Sequence, residues 1–136
     1  AHTLHLVPRI VSLGLGCRKG VSRDVIAETV REALSAADIP MEAVRNAASI
    51  DIKKDEPGLL QACRENGWEA SFYPAQTLQA VPGEFTASSF VASVTGVDNV
   101  CERAAMVGAE QLLVSKTAMD GVTVAVALMH WEVHFG

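Results

Sequence analysis

The sequence predicts an α/β fold: a single three-layer domain with a wound, mostly parallel mixed sheet and a C-terminal antiparallel hairpin. Two observations carry this. Short β-branched runs alternate with segments of helical period, as strand-helix-strand units require. The last two apolar runs are separated only by a turn containing Asp120-Gly121, which is a hairpin signal. A length of 136 residues fits one domain with its own core, expected over 1–136 with 1–8 as a flexible tail.

The elements follow in order. IVSLGLG from Ile10 is β-branched, apolar and closed by glycines, so it reads as a buried strand entering a tight turn. Ser22 is the expected N-cap of the first helix, with Asp24 in its first turn. Ile26, Val30, Ala33, Leu34 and Ala37 fall on one face of that helix. Pro40 marks the connection, Met41 to Val44 offer a further turn, and AASIDI from Ala47 is the second strand. Asp55 is the expected cap of the next helix and Pro57 suits its first turn. Leu59, Leu60 and Cys63 form its stripe, and Gly67 ends it.

WEASFYP is the third strand, followed by a short helix over Gln76 to Ala80. VPGEFTASS reads as a loop. Ser88 or Ser89 then caps a helix carrying Phe90, Val91 and Val94 that stops at Gly96. Asn99 caps another with Val100, Cys101, Ala104 and Val107, which stops at Gly108. LLVSK is a strand, TAMDG a turn and VTVAVALMHWEV the last strand.

Composition narrows the function classes. Hydrophobic residues make up 49% and charged residues 20%, which fits a folded globular chain. The net charge of -5 argues against nucleic acid or a membrane surface as partner. Any anion site must be built locally. Three widely spaced cysteines, Cys17, Cys63 and Cys101, do not form a disulfide framework or a paired-cysteine zinc site. They fit a reducing, cytoplasmic setting. No apolar run approaches the ~20 residues of a membrane span.

GLGCRKG carries the most chemistry. Gly14, Gly16 and Gly20 permit a sharp turn whose N–H groups face an anion, beside a helix N-terminus. Arg18 and Lys19 add full charges. The opposing reading is a turn that needs glycine for steric reasons alone. The GxGxxxG spacing also suggests an NADP-type loop. However, it departs from GxGxxG, and Asp51 lies further on than the ~20 residues that motif needs. Cys17 sits beside two cations, a setting that favours a thiolate, although a small side chain tucked under the turn fits equally.

DIKKDEP brings Asp51, Lys53 and Glu56 to the end of the second strand. Alternation sends Asp51 and Lys53 to one side if the strand continues. A carboxylate among lysines suits a general base, or simply a salt bridge. Lys116 ends the LLVSK strand and reaches the same rim. Ligands of wound sheets bind there, beyond the strands' carboxyl ends. His130, Glu132 and His134 share a face of the last strand, but no metal site is assigned to them. His2 and His5 lie in the tail.

Quoted in order, GLGCRKG, SIDIKKDEPGL, FTASSFVASVTGVDNVCERAA, LLVSK and GVTVAVA resemble the CobE/CbiG C-terminal domain family of cobalamin (vitamin B12) biosynthesis. The resemblance runs from Val11 to Ala127 and is closest to the free-standing form. It implies a corrinoid or precorrin ligand, other corrin-pathway enzymes as partners and no cofactor. Full-length relatives open a precorrin lactone and release a two-carbon fragment. This sequence does not include their N-terminal region, so a binding or hand-over role is expected, with lactone hydrolysis as the alternative.

Corrinoids carry acetate and propionate groups, which gives the cationic loop a purpose. The resemblance assigns ligand binding to Gly14, Gly16, Cys17, Arg18, Lys19, Gly20, Lys53, Ser88, Ser89 and Lys116. Phe85 and Phe90 would cover the macrocycle. Asp51 and Glu56 would activate water if a hydrolytic step occurs.

Overall fold

The computed structural model describes residues 9–83 and 99–129. The N-terminal tail, Ser88, Ser89, Phe85, Phe90 and the His130/Glu132/His134 trio lie outside the described residues. The chain is α/β, as its sequence predicts. Strands β1 (Val11–Cys17), β2 (Val44–Ile50), β3 (Glu69–Tyr73), β4 (Ala109–Met119) and β5 (Val122–Met129) form one sheet in the order β3-β2-β1-β5-β4. β1, β2 and β3 are parallel neighbours. β5 inserts antiparallel between β1 and β4. The sheet is therefore mixed, with the expected C-terminal hairpin.

Helices α1 (Arg23–Ala36) and α2 (Pro57–Asn66) make the crossovers from β1 to β2 and from β2 to β3. Both crossovers step the same way along the sheet, so one handedness puts both helices on one face, and they pack together there. Helices α3 (Ala75–Gln79) and α4 (Val100–Met106) cover the opposite face. No helix among the described residues is long and apolar enough to cross a membrane.

Alternation along the central strands sorts side chains by size. Val11, Leu13, Leu15, Val122, Val124 and Val126 face α1 and α2 with Ile26, Val30, Leu34 and Leu59. The other face is small. Ala125 and Ala127 of β5 meet Cys101 and Ala105 of α4. Gly14 lies beneath that helix. A Cβ added there would collide with the Cys101 carbonyl oxygen and fall 2.6 Å from the Ala105 nitrogen. One side of the sheet is thus a broad aliphatic core, and the other is a floor on which α4 sits close.

Three of the helix signals hold. Ser22 caps α1, its hydroxyl accepting the Val25 N–H, and Gly67 ends α2 at φ 72. Asn99 caps α4, and its side chain accepts the Glu102 N–H at 3.1 Å. Asp120 (φ 49) and Gly121 (φ 86) are both left-handed, as a tight hairpin turn demands.

Several boundaries differ from the sequence reading. β2 begins at Val44 rather than Ala47 because it pairs with Val11 at once. β4 runs on to Met119, since pairing with β5 overrides the turn-like composition of TAMDG. Asp55 does not cap α2: Glu56 holds that position, without a capping bond. We expect Gly14→Ala to destabilise the chain by about 3 kcal/mol or more, read as a lower urea midpoint, because helix backbone cannot yield as a side chain would.

Candidate functional site

An open cleft of about 640 Å³ lies where β1 and β2 end and the β4–β5 hairpin turns. Its size suits a small-molecule site. Gly16, Cys17, Arg18 and Lys19 come from the end of β1. Ser49, Ile50 and Lys53 come from β2 and the 3-10 turn that follows it. Asn99, Val100 and Cys101 come from the start of α4, and Lys116 and Ala118 to Thr123 from the hairpin. The three predicted segments do meet at one rim. The beginning of α4 and the hairpin turn complete it, and neither was anticipated.

Charge is distributed unevenly here. Arg18, Lys19, Lys53 and Lys116 line the cleft, and Asp120 is the one carboxylate on its described lining. A chain with net charge -5 thus gathers cations at one place. At a partly screened surface, two such charges ~4 Å from an anion would contribute a few kcal/mol between them, enough to favour an anion over a cation in the cleft.

Arg18 is held by the hairpin. Its backbone N–H donates to the Gly121 carbonyl at 3.0 Å, and its Nη2 donates to the Asp120 carbonyl at 3.4 Å. A Cβ on Gly121 would fall 2.7 Å from that Nη2, so glycine makes room for the guanidinium. Ser49, buried, donates its hydroxyl to the Leu15 carbonyl at 2.6 Å and ties β2 to β1 below the opening.

The glycines do not form the expected cradle of free N–H groups. Gly14 and Gly16 are strand residues of β1, paired with Ala125 and Thr123 of β5. Gly14 serves helix packing and is not on the cleft lining. Gly16 does line it, and a Cβ there would crowd the Thr123 hydroxyl at 2.5 Å. Gly20 makes the turn at φ 81, but its N–H donates to Glu56 Oε1 at 2.6 Å. The dinucleotide reading loses its geometric basis with that cradle, since such a loop must leave its N–H groups open to a pyrophosphate.

The carboxylates are placed differently from the expectation as well. β2 stops at Ile50, and the 3-10 turn over Asp51–Lys53 leaves Asp51 exposed and Ile52 59% exposed. Asp51 therefore does not share a strand face with Lys53. Glu56, 9% exposed, braces the turn at Gly20. Neither carboxylate is on the described cleft lining.

The sequence reading missed Glu102, which is 1% exposed and whose Oε2 accepts the Lys116 N–H at 2.6 Å. The signal was present: an acidic residue in the first turn, directly after the apolar Val100 and Cys101, suits a cap or a buried bond.

Cys17 is half-buried on the lining. Burial raises its thiol pKa, Lys53 opposes that rise and Glu56 adds to it. Desolvation wins, so the thiol is neutral at neutral pH and the nucleophile reading is not favoured. Burial pushes Cys63 and Cys101 from 9.0 up to about 11, with the Thr123 hydroxyl pulling Cys101 the other way. The folded chain holds these protons more tightly than the unfolded chain does. Their contribution to stability is therefore complete below pH 9 and is lost as the pH rises through 11, by roughly 3 kcal/mol per thiol at most. Urea midpoints measured across that range should fall. A flat profile would place both thiols in contact with water.

Comparison with known proteins places this geometry. The family model described as Cobalamin synthesis G C-terminus matches residues 11–127. Protein CobE of a Sinorhizobium species is 34% identical over 119 residues, which is 85% of this chain and 77% of that protein. A cobalt-precorrin-5A hydrolase of Priestia megaterium is 33% identical over 127 residues, covering 92% of this chain and 34% of the hydrolase. The chain thus spans about a third of that relative's length. The crystal structure of CobE, a protein from the cobalamin (vitamin B12) biosynthetic pathway, matches with a TM-score of 0.82 at 27% identity, covering 96% of this chain and 98% of that one. With residues 11–127 accounted for by one family model, the chain belongs to the cobalamin synthesis G C-terminal family.

Proposed function

We propose that the cleft binds a corrinoid or precorrin intermediate of cobalamin biosynthesis and that the domain acts by holding and handing over that ligand. The observation that carries this reading is the convergence of Arg18, Lys19, Lys53 and Lys116 on one cleft of an acidic chain. A corrin periphery bears several acetate and propionate groups, so a ring of cations matches its charge. Arg18 offers a planar fork for a bidentate carboxylate contact, and the lysines act as point charges. Gly16, Val100, Ala118 and Val122 add apolar lining to the same cleft. Other corrin-pathway enzymes are the natural donors and acceptors of such a ligand.

A second reading, hydrolysis of a precorrin lactone, draws support from the hydrolases among the relatives. Asp51 and Glu56, the bases expected from the sequence, stand off the described lining, which favours binding over this chemistry. If water is activated in the cleft, Asp120 is the described carboxylate on its lining.

Titration with a carboxylate-bearing corrinoid, followed by gel filtration, tests the first reading. A stoichiometric coloured complex that excess NADPH does not displace is expected, with affinity falling as salt rises. Arg18→Ala should raise Kd about ten-fold with an unchanged Tm, as the loss of one charge-assisted pair at an exposed site would. Equal affinity in that variant removes Arg18 from the contact. Release of acetaldehyde from a lactone-bearing intermediate would move the assignment to the hydrolase.

A further inference from the structure

Strand β4 is irregular where it meets the cleft. Val114 pairs with Val126, and Thr117 pairs with Val124. Three steps along β4 therefore match two along β5, so an extra residue forms a bulge over Ser115 and Lys116. The bulge decides where Lys116 goes. Val114 packs against the core beneath α1 and α2. An earlier register shift between Leu112, which packs on the α4 side, and Val114 has already turned Val114 to this face, and unbroken alternation from Val114 would keep Lys116, two residues later, there too. Lys116 instead lines the cleft on the α4 side with Cys101 and Thr123.

Glu102 of α4 meets the bulge. Its Oε2 accepts the Lys116 N–H at 2.6 Å. Glu102 is 1% exposed. A carboxylate so deeply buried carries a large desolvation cost, which only strong, charge-assisted bonds offset. Its own N–H is held by the Asn99 side chain at the cap, so the carboxylate is fixed to the helix that walls the cleft.

We propose that Glu102 is a positioning residue: its buried carboxylate caps the β4 bulge and thereby turns Lys116 into the cleft to meet a ligand carboxylate. This rests on the corrinoid-binding reading above.

The test uses the full chain and cobyrinic acid, a corrin with free carboxylates, as probe. Lys116→Ala is expected to raise Kd about ten-fold, and Glu102→Leu by a similar factor. The double variant should be no worse than either single one, because both changes remove one contact. Amide hydrogen exchange gives a readout that needs no ligand. The Lys116 amide of the unmodified chain should exchange at least about a hundred-fold more slowly than in an unstructured peptide, and Glu102→Leu should abolish that protection.

Should Glu102→Leu fail to fold, Glu102→Gln takes its place, since it keeps an acceptor oxygen. Affinity within about two-fold of the unmodified chain, with the amide still protected, is then expected. Additive penalties in the double variant overturn the assignment. So does an unprotected Lys116 amide in the unmodified chain, or protection lost in Glu102→Gln without any loss of affinity. If the unmodified chain takes up no cobyrinic acid while the amide behaves as expected, the corrinoid reading falls and the cap on the bulge stands.

Discussion

The close seat of α4 on the sheet is the constraint on which the cleft depends. It is possible because Gly14 has no side chain where the Cys101 carbonyl arrives. Ala125 and Ala127 extend the same low floor across β5. A larger residue at Gly14 would lift the helix. Lifting it would withdraw Asn99, Val100 and Cys101 from the cleft wall, and would pull Glu102 away from the backbone of Lys116. The broad core on the opposite face could tolerate small shifts through its flexible aliphatic side chains. A helix backbone resting on a strand backbone has no such slack.

The turn after β1 depends on a second pair of close approaches. Glu56 accepts the Gly20 N–H, and a Cβ on Gly58 would press on the Val21 carbonyl. The start of α2 is thereby drawn against the loop that carries Arg18 and Lys19. A buried carboxylate placed there satisfies a turn N–H that would otherwise compete for a ligand. The positive charge of the cleft consequently comes from side chains, which are screened by salt and can be removed one at a time.

Much of this was legible in the sequence. Glycine at the end of α2, the Asn99 cap and the Asp120-Gly121 turn each have a local physical cause, so local composition sufficed. The rim of GLGCRKG, Lys53 and Lys116 followed from strand order alone. What failed was long-range. Gly14 and Gly16 fell both at the end of the first strand and in a supposed anion-facing turn, and pairing with β5 leaves them only the strand. The purpose of Gly14 lies in a helix far along the chain. Asp51 seemed to continue a strand, but the 3-10 turn that begins after Ile50 could not be seen in its alternation. Lys116 lines the cleft, but the two register shifts of β4 on either side of Val114 that lead to it have no mark in the local composition.

These couplings bear on how the cleft can work. Arg18 is bound to the β4–β5 turn through both its backbone and its guanidinium. Lys116 is bound to α4 through Glu102. Each cation therefore sits on one element and is fixed by another, so the walls bearing them cannot drift independently. Long cationic side chains lose considerable rotamer freedom when a ligand fixes them, and that loss subtracts from affinity. A cation whose backbone is already constrained loses less. An acidic chain has little general field with which to attract an anion, so under the proposed function constrained cations would be its means of selecting a multiply charged ligand.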